Sequence, residues 1–357
     1  MTVDEGAVEA TEHQRQDGTP AREGRPPRLT LGLPVYDGER FLAESLDALL
    51  AQTYTDFELI ISDNGSTDGT RAIAEAYAER DPRVRYVHHP VNRGSSFNHN
   101  FVILQARGEL FKWVSDDDLY APELLERCVE ALDARPEISV AHAWTAYLDE
   151  SGRVVDTPPY PLVTDVPDPA QRFRSLLHTQ GGDDIYGIIR MSVLSKIELF
   201  GSYHMADRPF VAELLLHGPF HNVPEHLYFR RDHPARASRV GRYIRRRCSH
   251  LDPARANRWR HPMVRLLGEY VLGFVTAIWR APLSARDRLR CYVELAAWLA
   301  SHLNPMYRQA LSESHDPAFA AIGEGSLASR LSERARRGRL GRILRGRGDS
   351  RPTGMRP

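Results

Sequence analysis

Lysine is almost missing from this chain of 357 residues. Lys112 and Lys196 are its only two, and arginine carries nearly all the positive charge. Cysteine is scarce as well. Cys128, Cys248 and Cys291 stand far apart, which excludes a zinc-ligand spacing and an even disulfide framework and fits a reducing cytoplasm. The amino terminus is polar and acidic, without the basic and apolar stretches of a secretory signal. No apolar run reaches the ~20 residues that a bilayer demands. Residues 263–279 come nearest, but Glu269 interrupts them, so packed helices are expected and a transmembrane helix is not. Net charge is also absent: 47 Lys and Arg balance 47 Asp and Glu. That balance alone argues neither for nor against nucleic acid, and no nucleic-acid partner is expected. Short internal repeats are not evident.

What is present is an apolar run that ends in three consecutive carboxylates. Phe111-Lys112-Trp113-Val114 leads through Ser115 into Asp116-Asp117-Asp118. Taken alone, this is either a solvated acidic turn or a site for a hard divalent cation, which prefers oxygen ligands. The surrounding pattern bears on the choice. Strands are predicted over residues 29–36, 57–62, 84–87 and 110–114, and helices over 41–50, 71–80 and 97–106. Alternating strands and helices imply a parallel sheet with helices on its faces. Polar or acidic clusters follow the first, second and fourth strands, and ligands of such sheets bind at the carboxyl ends of the strands. Three clusters at one edge favour a site over a solvated turn.

Further on, residues 139–148 alternate as a strand, prolines at 158, 159, 161, 167 and 169 mark a crossing loop, and a helix is expected over 170–177. A strand over 185–190, a helix over 209–217 and an extended segment over 221–231 follow. From residue 240 onward the pattern is helical, with an amphipathic stretch over 290–303. Residues 330–357 carry ten arginines against Glu333 and Asp349. They read either as a solvated tail or as a basic segment on an anionic membrane surface.

Several ordered motifs, read together, resemble the family-two inverting glycosyltransferases. They are Leu33-Pro34-Val35-Tyr36 with Glu39; Gln52-Thr53; the run from Glu58 through Asp63-Asn64-Gly65-Ser66-Thr67-Asp68-Gly69-Thr70; Asn92-Arg93-Gly94; Ala106-Arg107-Gly108-Glu109; and Asp116-Asp117-Asp118. The resemblance covers about residues 29–235. It implies an α/β fold of the A type used by nucleotide-sugar transferases: a Rossmann-like, mostly parallel sheet flanked by helices, followed by a C-terminal helical region. With the composition and helical pattern on either side of it, the expected organisation is a disordered leader over 1–27, a transferase domain over 28–235, a helical region over 236–325 and a basic, disordered tail over 326–357. Within the domain, 28–120 forms the nucleotide-sugar half and 121–235 the acceptor half.

The resemblance also implies roles. Pro34, Tyr36 and Glu39 would lie beside the base or ribose, Asp63 would accept from a base N–H, and Asn92 with Gly94 would shape the loop over the nucleotide. Ser66 and Asp68 would cap the following helix. The aspartate motif would bind Mg²⁺ or Mn²⁺ against the two phosphates, with Asp118 as direct ligand and Asp116 or Asp117 near the ribose; Asp116 is the second ligand candidate. Ser115 stands where the family pattern has its first Asp. His99 stands where many members have a phosphate-binding Arg, and Arg93 is the alternative. Asp207 would be the catalytic base, although Ala206 replaces the usual Glu before it; its structural alternative is a helix N-cap. Asp183 and Asp184 would lie near the acceptor, and Arg231 or His233 near the diphosphate or metal. The implied activity is metal-dependent transfer of a sugar from a nucleoside-diphosphate donor to a hydroxyl of a polysaccharide, glycolipid or natural product. It would take place in the cytoplasm or at the inner face of the membrane. The alternative is a non-catalytic module that binds nucleotide sugar. A nucleotidyltransferase would need a Gly-rich basic loop after the first strand, where this chain has Pro34-Val35-Tyr36-Asp37-Gly38-Glu39.

Overall fold

A computed structural model describes residues 25–179, 183–234, 236 and 244–314, with side chains described as far as residue 302 and not for Asp183. The leader over 1–24 and the basic tail lie outside the described residues. The chain begins with three strand–helix units: β1 Leu29–Val35, α1 Leu42–Leu50, β2 Phe57–Asp63, α2 Thr70–Arg80, β3 Val84–His88 and α3 Ser95–Leu104. Then come β4 Leu110–Trp113, β5 Leu119–Tyr120, α4 Leu124–Ala134, β6 Val140–Leu148, β7 Val154–Asp156 and α5 Pro169–His178. The remaining elements are β8 Ile188–Arg190, α6 Met191–Leu194, α7 Asp207–His217, β9 Phe220–Arg231, α8 Ile244–Leu251, α9 Met263–Arg280 and α10 Ala285–Ser314.

The strands form one sheet in the order β3-β2-β1-β4-β8-β6-β9-β5, with β7 on β6. β1 pairs parallel to β2 and β4, and β2 to β3. β8 runs antiparallel to both β4 and β6, and β6 is parallel to β9. The order reverses between β1 and β4, which opens a crevice at the carboxyl ends of those two strands.

Side-chain alternation divides the core between the two faces of the sheet. Leu31, Leu33, Leu59 and Ile61 point to the layer of α1, α2 and α4. Ile60, Phe111 and Trp113 point to the other layer, with Phe173, Leu214, Tyr270, Phe274 and Trp298. α9 and α10 therefore share a core with α5 and α7, so the C-terminal helices are part of the same packed body. Asp168 caps α5 by accepting from the backbone N–H groups of Ala170 and Gln171, with Pro169 in the first turn.

Three local details differ from the sequence expectation. α3 starts at Ser95 rather than residue 97, because Gly94 takes a φ of 91° and turns the chain into the helix early. The expected strand over 185–190 is shortened to β8, because residues Asp183–Tyr186 form a 3-10 turn. β5 and β7 are two and three residues long, too short to show a period. Among the described residues no helix is long and apolar enough to cross a membrane.

Candidate active site

The loops after β1 and β2 are stitched together. Asp37 takes a φ of 51°. Its backbone N–H donates to Ser66 Oγ, and its Oδ1 accepts from the Thr67 N–H. Gly38 donates to Thr70 Oγ1, and Glu39 donates to Asp68 Oδ2 while its own carboxylate accepts from the Gly69 N–H. Asp68 Oδ1 accepts from the Thr70 N–H at the start of α2. Glu39 and Asp68 thus shape the rim. Tyr36 is left 45% exposed at the mouth of the crevice, and Pro34 is half-buried beside it.

Asp63 is fully buried at the end of β2. Its Oδ1 accepts from the Ser66 N–H, and its Oδ2 accepts from Tyr86 Oη and faces His88 Nδ1. Burial pushes this carboxyl up, but the bonds from Ser66, Tyr86 and His88 outweigh it and hold the group below the usual carboxylate range. Asp63 therefore anchors the site from beneath instead of presenting a bare carboxylate to a base. Asn64 and Asn92 lock the next loop: Asn64 Nδ2 donates to Asn92 Oδ1 and to the Gly94 carbonyl, and Asn64 Oδ1 accepts from the Arg93 N–H. The exposed Arg93 guanidinium lies 3.8 Å from the centroid of the Phe97 ring.

His99 departs from its expected phosphate role. Its ring stacks on Phe200 with centroids 5.5 Å apart, and Nδ1 bonds the Ser95 carbonyl at 2.8 Å. Burial pushes it down to about 4. A neutral imidazole donating through Nδ1 keeps only an acceptor at Nε2, which cannot bond a phosphate oxygen. Arg93 is the cation left at that loop.

The three aspartates diverge sharply. Asp118 has no exposed surface. Its Oδ1 accepts from Arg236 and from the Arg231 N–H at 2.8 and 2.9 Å, and its Oδ2 from Arg236 at 3.2 Å and from Tyr228 Oη. Four donors fill the ~4 acceptor positions of a carboxylate, so Asp118 departs from the expected role of direct metal ligand. Burial opposes the Arg236 charge, but Asp118 and Asp117 outweigh it and hold the guanidinium above its ordinary range. Asp117 accepts from Ser115 Oγ at 2.5 Å and pairs with His233 Nε2 at 2.9 Å. Burial raises it, yet Arg236, Ser115 and His233 together bring it below the normal range. Ser115 therefore orients Asp117 where the family pattern has a further carboxylate. His233 Nδ1 is buried without a partner.

Asp116 is the outlier. Among the described residues no Arg, Lys or His forms an ion pair with it. Burial, with Asp117 adding to it, pushes it up to about 8. Its carboxylate fills the space where a side chain at Gly38 would sit, since a Cβ there would overlap Asp116 Oδ2. The loop after β4 thus meets the loop after β1 across the point where the strand order reverses.

Arg231 is a clamp in this arrangement. It is buried, with Nε on the Asp117 carbonyl, Nη1 on the Glu150 carbonyl and Nη2 on Glu44. Asp184 is buried too; its Oδ1 accepts from Tyr160 Oη and lies 3.5 Å from His142 Nε2, in the turn that leads into β8 at the carboxyl edge of β4. Asp183 begins the 3-10 turn beside it. Both precede β8 at the sheet edge that carries the crevice.

Asp207 opens α7. That helix ends at His217, and Phe220 then pairs with Val140 at the start of β6. A helix of 11 residues is about 16 Å long, so its first turn lies at the other edge, with the carboxyl ends of β1 and β4. Burial pushes Asp207 above the usual range against the pull of Arg208. Met205, two residues earlier, takes a φ of 51°, a strained conformation of the kind that clusters at functional sites.

Residues 30–198 match the family model described as Glycosyl transferase family 2. Over that stretch, a little under half of the chain, the sequence is similar to that family. Glycosyltransferase GlyG of Streptococcus pneumoniae is 27% identical over 196 residues, which are 53% of this chain and 64% of the relative. An uncharacterized glycosyltransferase, EpsJ of Bacillus subtilis, is 38% identical over 104 residues, 29% of this chain and 30% of the relative. One from Rickettsia bellii is 37% identical over 109 residues, 30% of this chain and 15% of the relative. The matches span less than two thirds of these relatives' own length. Among solved structures, residues 1–349 of TarS from S. aureus with UDP-GlcNAc have a TM-score of 0.57 at 19% identity, covering 78% of this chain and 73% of that one. That likeness gives the A-type transferase fold.

Sequence reasoning missed the partners of the aspartates. Tyr228 and Arg236 lie more than 100 residues from Asp118 and give no local signal. The buried Lys112 was also missed. Its ammonium reaches the Tyr186 carbonyl, and burial pushes it down to about 8.

Proposed function

We propose that the protein is an inverting glycosyltransferase that takes its sugar from a nucleoside-diphosphate donor in the crevice between β1 and β4. One observation carries this: Asp116, an unpaired carboxyl pushed up to about 8, faces Gly38 at the switch point beside Asp117. Such a pair suits a hard divalent cation such as Mg²⁺ or Mn²⁺. Among the described residues no three His, Cys, Asp or Glu side chains could hold a metal ion by themselves, so donor phosphate oxygens would complete the ligand set. Asp116 and Asp117 would hold the ion, Ser115 and His233 would orient Asp117, and Asp118 would keep the loop in place through Arg236. When bound, the ion stabilises charge on the leaving diphosphate.

The residues of the chain supply the rest. Tyr36, Glu39 and Asn92 frame the nucleotide, Asp63 steadies that wall, and Arg93 offers a cation to the phosphates. That TarS is seen with UDP-GlcNAc supports a donor of this class. Asp207 accepts the proton of the acceptor hydroxyl. The hydroxyl oxygen then bonds to the anomeric carbon, and the bond from that carbon to the diphosphate breaks with its electron pair on the leaving oxygen. A base must be ionised to act, so the raised Asp207 delays activity to a higher pH than an ordinary carboxylate would.

The test is release of nucleoside diphosphate from a panel of donor sugars with Mn²⁺ and a hydroxyl acceptor. Release with formation of a glycoside of inverted configuration supports the reading. Donor binding without release would favour the non-catalytic module.

A further inference from the structure

We propose that the outer face of the α9–α10 hairpin docks onto an anionic lipid bilayer, independently of the transfer site. The inner sides of both helices are used by the core, through Leu266, Tyr270 and Phe274 on α9 and Cys291, Leu295 and Trp298 on α10. Their outer sides are apolar too. On α9, Val264, Leu272 and Trp279 are 78, 55 and 69% exposed. At 100° per residue they fall on one stripe, with Gly268 between them. On α10, Leu289 and Val293 are 65 and 59% exposed and lie one turn apart. Tyr292 Oη donates to the Val275 carbonyl, and the Arg288 guanidinium sits 5.8 Å from the Trp279 ring centroid. The two stripes thus adjoin on one surface. Trp259, 76% exposed ahead of α9, carries Arg258 at 5.3 Å. Six of the thirteen exposed large apolar residues of the described chain lie between 259 and 293. A concentration of that kind marks a contact surface.

Charge identifies the occupant. The balanced total hides a division. Residues 1–243 hold 25 Lys and Arg against 38 Asp and Glu, a net −13; residues 244–302, which contain the described part of the hairpin, hold 11 Arg against 4 Asp and Glu, a net +7. Exposed tryptophan flanked by arginine is the composition of a surface at the headgroup level, where the ring enters the interface and the guanidinium meets lipid phosphate. Basic groups near such a surface are attracted to anionic lipid while the acidic part of the molecule is repelled, which orients the hairpin toward the bilayer. A second copy on this face would bring two basic surfaces together. Nucleic acid would leave the Leu, Val and Trp stripe without an apolar partner. Because no described helix spans a bilayer, the hairpin lies on the surface.

Flotation of the full-length protein with vesicles tests this, using phosphatidylcholine alone and phosphatidylcholine mixed with phosphatidylglycerol. The expected result is binding to the mixed vesicles, about tenfold or more above phosphatidylcholine alone, with a blue shift of tryptophan emission. Trp279→Ser with Leu289→Ser, both at the surface, should lower binding about tenfold while circular dichroism stays unchanged. Should that pair fail to fold, Val264→Ser with Val293→Ser takes its place. Binding undiminished in a folded double variant would put the contact elsewhere, in the arginine-rich segment 330–357, and overturn the proposal. So would a wild-type protein that stays off the mixed vesicles, including one that sediments as a dimer which these substitutions dissociate.

Discussion

Replacing Asp118 by Ala should unfold the protein sooner rather than disarm it directly. The substitution strands Arg236, which is 7% exposed, and removes the acceptor for Tyr228 Oη and the Arg231 N–H. Removing one partner of a buried pair costs about 3–5 kcal/mol. Guanidinium denaturation followed by circular dichroism would measure this, and Asp118→Asn combined with Arg236→Met should recover a large part of it. Asp116→Asn should do the reverse. A folded-state carboxyl pushed up to about 8 from its ordinary value of 3.8 loses its proton later than in the unfolded chain, so it destabilises the fold progressively as pH rises from 3.8 toward 8. Asparagine removes that penalty, and stability near pH 8 should rise by about 2–4 kcal/mol, discounted for the partial exposure of the group. Metal-dependent binding of a nucleoside diphosphate should be lost in the same variant. An Asp118→Ala protein of unchanged stability, combined with an Asp116→Asn protein that binds metal and nucleotide normally, would refute this division of roles.

Asp207→Asn should lower kcat by about two to four orders of magnitude with donor KM nearly unchanged, in steady-state assays with the donor varied. His99 and His204 are each pushed down to about 4 by burial. Below pH 6.5 the unfolded chain binds protons that the fold refuses, so stability should fall as pH drops from 6.5 to about 4, by up to about 3 kcal/mol for each, read from thermal midpoints. Gly94→Ala should destabilise the protein by about 1–3 kcal/mol, because φ is +91° there and a Cβ would overlap the Leu251 carbonyl; an unchanged midpoint would contradict the close packing of α8 on that loop.

The strand–helix alternation and the sheet edge that carries the site were legible because apolar period and turn residues are local signals. The β1, β2 and β4 termini could be placed from Val35-Tyr36, Asp63-Asn64 and Val114-Ser115 alone. The assignment within Asp116-Asp117-Asp118 was not legible. It depends on Tyr228, Arg231, His233 and Arg236, which the fold returns to β4 from more than 100 residues away. A charge run also says nothing of partners, and four donors separate the satisfied Asp118 from Asp116, which pairs with no cation among the described residues. His99 misled for a related reason: its position in the motif suggests phosphate, while Phe200 and Trp113, brought in by tertiary packing, take its ring. The membership of α9 and α10 in the main core was likewise hidden, because amphipathic spacing shows that a face is buried but not against what.

The most direct test of the central claim is calorimetric titration of UDP into the protein with Mn²⁺, with EDTA, and into the Asp116→Asn variant with Mn²⁺. The account predicts binding in the first case and at least about a tenfold loss in the other two, in which the charge between carboxylate and diphosphate is no longer bridged. Equal affinity in all three would contradict it.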